Sequence, residues 1–173
     1  MAPPNALNFD PIEEARRHWI EHGWSEAADG MAFIASVMRL QRIFSARVDL
    51  VLRRFDLTSA RFELLMLLSF THTGALPMNK ASTRLQVHAT SVTGTVDRLE
   101  TQGYVRRLPH GTDRRTILIE ILPAGRRVLA KAALALNKEV FEHPPISTDD
   151  AAKLFDYLGT RREVATKMSA GAS

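Results

Sequence analysis

Apolar positions along the chain recur every three or four residues in several long stretches and alternate in one short one. The pattern predicts a mainly α-helical fold carrying a small β-hairpin. Residues 1–9 hold two prolines and no periodicity, and are expected to be a disordered tail. Asp10-Pro11 places an N-cap before a proline suited to the first helical turn, so a helix is expected to about Glu21, ending near Gly23. From about Met31 to Phe55 a long helix is marked by Ile34, Val37, Met38, Phe44, Val48, Val51, Leu52 and Phe55. A small domain core does not consume so long an apolar stripe, and part of it is expected to pack on a second subunit.

Leu57-Thr58 opens the next helix, with Thr58 as its cap and Leu57 and Phe62 at the two positions of a hydrophobic staple. That helix runs through Leu68 and stops before His72-Thr73-Gly74. A short helix from about Asn79 to Leu85 and a helix from about Ala89 to Gln102 follow, the second closed by Gly103. Strands are expected at Tyr104–Leu108 and Thr116–Leu122, where Ile117, Ile119 and Ile121 alternate, with a polar turn between them. Pro123 starts a helix with Leu129, Ala133, Leu136 and Val140 inward, to about Phe141, and His143-Pro144-Pro145 breaks it. Ser147-Thr148-Asp149-Asp150 is a capping box for a last helix that presents Leu154, Leu158 and Met168 on one face. The order reads as a winged helix-turn-helix on a helical dimerisation platform. Helices in 10–56 and 123–168 are expected to dimerise, and 57–122 to form the reading unit.

Composition changes this picture little. Hydrophobic residues make up 45% and charged residues 24%, the balance of a soluble chain that can bury a core. No apolar run is long enough to span a bilayer, so no membrane partner is expected. The opening Met1-Ala2-Pro3-Pro4-Asn5 lacks the features of a secretory signal, and a cytoplasmic location is expected. The absence of cysteine removes disulfides, thiolate metal sites and cysteine redox sensing together. Charge is more informative. Between Lys80 and Lys131 stand ten basic and four acidic residues, an excess of +6 against +4 for the whole chain. So concentrated an excess suits a polyanionic partner.

The helix from Ala89 carries Val92, Val96 and Leu99 as a buried stripe, and Thr90, Ser91, Thr93, Gly94, Thr95 and Arg98 on its other faces. Small hydroxyl residues weaken helices and shield the backbone poorly, but they suit close approach to phosphates and base edges. Ala89 and Gly94 keep the helix thin enough for a major groove. The hairpin tip bears His110, Arg114 and Arg115 beside Gly111, placed to reach a minor groove, where guanidinium groups are favoured. Asp113 stands two residues before Arg115 and is positioned to orient it.

The run from Leu85 to Arg107, with Asp113-Arg114-Arg115 and Pro123-Ala124-Gly125-Arg126, resembles the recognition element and wing signature of MarR-family regulators. Leu122 stands where that family usually has a threonine cap, and His88 where a serine is common. The resemblance implies a homodimer on a palindromic duplex operator, with Arg115 in the minor groove and Ser91, Thr95 and Arg98 on the reading face. The N-terminal helix with Trp19 is similar to that of the urate-responsive subfamily. By that likeness Trp19, Glu63 and Arg107 would bind a small aromatic or carboxylate effector, the second arginine of the site falling at Thr95.

His18 and His22 stand one turn apart with Glu14 and Glu21 nearby, the spacing of a two-histidine metal site. Solvated surface histidines are the commoner outcome, and no metal or cofactor is expected. With no phosphate loop, nucleophile motif or framed carboxylate pair, an enzyme is not expected either. The function expected is ligand-released transcriptional repression, and the alternative is a winged-helix module that binds protein without DNA.

Overall fold

The computed structural model describes residues 8–109 and 116–170. The chain divides into two compact units, Met1–Leu50 and Val51–Ser173. In the first, Asp10 caps α1 (Pro11–Glu21) by accepting the backbone N–H of Ile12 at 2.9 Å. Gly23, at φ 84°, turns the chain into α2 (Ser25–Leu52), whose last two residues belong to the second unit. The long helix therefore begins six residues before the expected Met31. Ala27, Ala28 and Gly30 give its first turns too little apolar contrast for periodicity to register.

Arg16 ties the two helices, donating from Nε to Asp29 at 2.7 Å, and Trp19 meets Trp24 edge-on at 5.4 Å. His18 Nδ1 lies 3.0 Å from Glu21 and His22 Nδ1 lies 2.7 Å from the His18 carbonyl, so both rings are engaged within and just beyond α1. Along α2, Phe33, Ile34 and Met38 are 56%, 59% and 60% exposed, an apolar stripe that the chain leaves uncovered.

The second unit opens with a 3-10 turn over Arg53–Phe55 and a left-handed Asp56 at φ 51°. Thr58 then caps α3 (Ser59–Ser69) through the Arg61 N–H at 3.4 Å, and Leu57 and Phe62 are both buried, as a staple requires. Next come β1 (Ala75–Pro77), α4 (Met78–Leu85), a turn through left-handed Gln86, and α5 (Ala89–Thr101). His88 serves as cap at α5, its ring nitrogen accepting the Thr90 N–H at 3.4 Å. Beyond Gly103 lie β2 (Val105–Pro109), β3 (Ile117–Ile121) and α6 (Pro123–Leu136). Leu122 gives α6 no side-chain cap, but Pro123 at its first position is already set for the helix. A π turn, Asn137–Phe141, precedes α7 (Thr148–Ala170). At α7 Ser147 Oγ accepts the Asp150 N–H at 3.1 Å, the N-cap half of the expected capping box, and donates to the Asp150 carboxylate at 2.7 Å.

The expected hairpin is the larger part of a three-stranded antiparallel sheet in the order β1-β3-β2. Strand β1 has three residues including a proline, too few to show alternation. In the core, Leu52, Leu64, Leu65, Leu68, Ile119 and Leu136 are fully buried beside Val92, Val96 and Leu99 of α5. On α6 the inner alanine is Ala132 rather than the expected Ala133, and Val140 is only half-buried. The π turn explains Val140, because the extra residue per turn breaks the phase set by Leu129 and Leu136.

Gly125 is buried at the start of α6, where a Cβ would fall 2.3 Å from the Tyr104 carbonyl oxygen. Backbone cannot swing aside as a side chain would. Gly125→Ala is therefore expected to cost roughly 1–3 kcal/mol of stability. A lower urea midpoint at unchanged slope would show it.

Candidate nucleic-acid interface

Helix α5 is seated by Val92, Val96 and Leu99, at 2%, 0% and 0% exposure. With that stripe inward, Ala89, Thr90, Ser91, Thr93, Gly94 and Arg98 are exposed and Thr95 is half-buried. The threonine hydroxyls turn back on the helix: Thr93 donates to the Ala89 carbonyl at 3.1 Å and Thr95 to that of Ser91 at 2.8 Å. What they present outward is methyl groups and oxygen lone pairs. The side chains of Ser91 and Arg98 have no partner among the described residues, so one hydroxyl and one guanidinium are available on this face.

Gly94 sits in mid-helix with ordinary helical geometry, and a Cβ built there meets nothing within 4 Å. A glycine inside a helix costs about 1 kcal/mol relative to alanine. Neither backbone conformation nor internal packing calls for it.

Ser91, Gly94, Thr95 and Arg98 line one side of an open groove of about 520 Å³. The other side is formed by Asp56, Thr58 and Arg61 from the start of α3. Ala89, Thr90 and Thr93 lie on the same helix but outside that groove. Arg61 donates to Gln102 at 3.0 Å, and Gln102 donates in turn to the carbonyl and carboxylate of Asp56 at 2.9 and 2.8 Å. Arg61 and Gln102 went unnoticed in the sequence. The available signal was an arginine in the first turn of α3, the first helix of the reading unit.

The wing residues His110, Asp113, Arg114 and Arg115 lie outside the described residues. The strands that lead to them pair Val105 with Ile121 and Pro109 with Ile117 at the two ends of the ladder. Arg106 meets Glu120 directly across the strands. Arg107, on the other face of β2, donates from Nη2 to Asp97 at 2.6 Å and from Nη1 to Glu100, and its backbone N–H donates to Glu100 at 2.9 Å. Burial works against the charge on Arg107, but the hydrogen bonds to Asp97 and Glu100 outweigh it and hold its pKa above the ordinary range. Of the other two residues expected at an effector site, Glu63 is exposed on α3, and Trp19 belongs to α1 of the first unit.

The sequence profile of the MarR family matches residues 57–117, which cover α3 to the start of β3. The crystal structure of Sco5413, a MarR-family transcriptional regulator from Streptomyces coelicolor, is similar at TM-score 0.72 and 39% identity, over 80% of this chain and 96% of that one. A second regulator from the same organism, Sco3205, solved in complex with DNA, shares the fold at TM-score 0.69 and 20% identity, over 79% of this chain and 87% of its own. YhbI, an HTH-type transcriptional regulator of Bacillus subtilis, is 28% identical over 53% of this chain, a match that spans 58% of that relative's length. The extent and identity of the first match, together with the profile match across the reading unit, show that the chain belongs to the MarR family of winged helix-turn-helix transcriptional regulators.

Proposed function

We infer that the chain is a homodimeric repressor that binds a palindromic operator in duplex DNA and is released by a small-molecule effector. Residues 57–122 read the DNA, and the helices in 10–56 and 123–168 dimerise. The observation that carries the reading is the face of α5: a free guanidinium at Arg98, a free hydroxyl at Ser91, and a glycine between them whose only evident use is to admit another molecule. Ala89, Thr90, Thr93 and Thr95 complete the contact surface, and the wing residues His110, Asp113, Arg114 and Arg115 extend it into the minor groove.

The uncovered stripe of α2, with Leu154, Phe155 and Tyr157 exposed on α7, supports a second copy as partner. No described helix is long and apolar enough to cross a membrane. A cytoplasmic location accompanies this reading. The effector is proposed as a small aromatic or carboxylate compound recognised through Trp19, Glu63 and Arg107. A carboxylate would have to compete with Asp97 and Glu100 for the Arg107 guanidinium.

Gly94→Ala separates the internal from the external role of that position. The variant is expected to gain about 0.5–1 kcal/mol of stability in urea unfolding. At the same time its affinity should fall at least about tenfold for a duplex that the wild-type chain enriches from a random library, one good base contact being worth this much or more. A variant that gains stability and binds as before would remove this face of α5 from DNA contact.

Arg115→Ala should weaken the same duplex while the circular dichroism spectrum and the sedimentation mass stay those of wild type. Undiminished affinity would exclude the wing from binding. For the dimer, Met38→Glu puts a charge into the α2 stripe and is expected to shift sedimentation towards the 19.3 kDa monomer.

A further inference from the structure

β2 is an edge strand, since the sheet order leaves β3 on one of its sides only. The backbone N–H of Arg107 donates to Glu100 and so points away from β3, towards α5. An exposed edge donor would normally be left to water. Here one carboxylate of α5 takes both that N–H and the Nη1 of the same residue, while Asp97, one turn earlier on α5, takes Nη2. Three hydrogen bonds therefore run from a single residue of the wing's first strand to two residues of the reading helix. Arg107 is 26% exposed and Glu100 38%, so that pair is partly shielded from solvent, while Asp97 is 58% exposed. A forked guanidinium held by two carboxylates fixes direction as well as distance.

We propose that Arg107 is a positioning residue for DNA recognition, which sets the angle between the wing and α5 without itself touching the duplex. The proposal rests on the DNA-binding reading above. Two elements that enter neighbouring grooves must keep a fixed spacing to read one sequence, whereas attraction to phosphates tolerates misalignment. Loss of the clamp should therefore reduce discrimination between sequences before it reduces attraction to DNA. A lysine at this position supplies the charge but not the rigid fork, so it attracts the two carboxylates without fixing their direction.

The test uses the full chain and a charge-conserving pair, Arg107→Met with Glu100→Gln, measured by anisotropy against the library-selected duplex and against a random duplex of equal length. The ratio of the two affinities is expected to fall about tenfold or more, with the slope of log affinity against log salt unchanged. Arg107→Lys should recover part of the ratio. Asp97→Asn, which keeps both bonds to Glu100, should lose less than the pair, and it serves as the working variant if the pair unfolds in the accompanying melt.

Two outcomes overturn the proposal: a wild-type ratio in every variant that folds, or equal losses on both duplexes with the salt slope reduced by about one, the mark of a direct phosphate contact. If the wild-type chain enriches no duplex at all, the DNA reading falls and takes the proposal with it. Enrichment by wild type with an unmoved ratio in the variants overturns the proposal alone.

Discussion

The seating of Val92, Val96 and Leu99 against the core is the contact on which the rest of the reading unit depends. Burying a side chain of this size contributes roughly 1.5–3 kcal/mol. Helix α5 is otherwise built of residues that favour helices poorly: Thr90, Ser91, Thr93, Gly94, Thr95 and Thr101. Such a segment would not hold helical geometry in isolation. Because tertiary burial supplies the stability, the outward faces are released from helix-forming duty and can carry residues suited to another surface.

Apolar burial is non-directional, so it fixes the depth of α5 better than its rotation. Polar ties supply the rotation, and they gather at one end. Gln102, just past the last turn, is bound to Asp56 and Arg61, and Asp97 and Glu100 are bound to Arg107. Among the described residues, the first half of α5 has the His88 cap and its own threonine hydroxyls as its polar side-chain ties. The helix is thus gripped at its C-terminal end and left clear at its N-terminal end, the half where the free Ser91 and the bare Gly94 lie. Asp56 closes the 3-10 turn that ends the long helix, so the Gln102 tie joins the reading helix to the segment leading from α2.

Much of this was legible in the sequence, and the pattern of success has a physical cause. Features encoded within a few residues came through: the caps at Asp10, Thr58 and Ser147, the staple at Leu57 and Phe62, the three-residue stripe of α5, and the alternation of β3 at Ile119 and Ile121, though Ile117 at the strand's start is exposed. Features that depend on distant partners did not. β1 is defined only by its pairing with β3, since Ala75-Leu76-Pro77 has no pattern of its own. The start of α2 is tied by Arg16 to α1 and has no apolar period of its own. The ion pairs of Arg107 were not legible, because its partners lie seven and ten residues away across a turn and two secondary elements. The groove facing Ser91 and Arg98 depends on Arg61, which is brought to it only by folding. The tip of the wing is legible in sequence alone.

Pairing also changes what the charge excess of this segment means. From Lys80 to Lys131 the described acids are Asp97, Glu100 and Glu120, and all three are bound to the two hairpin arginines, Arg106 and Arg107. Among the described residues, Lys80, Arg84, Arg98, Arg126, Arg127 and Lys131 have no carboxylate partner. The segment is therefore not a diluted mixture of charges. Among the described residues its negative groups are gathered at the root of the wing, on the two faces of β2, where they do structural work. Unpaired basic groups of this kind attract a polyanion over a distance. The acids that would oppose such an attraction are the ones that tie β2 to β3 and to α5.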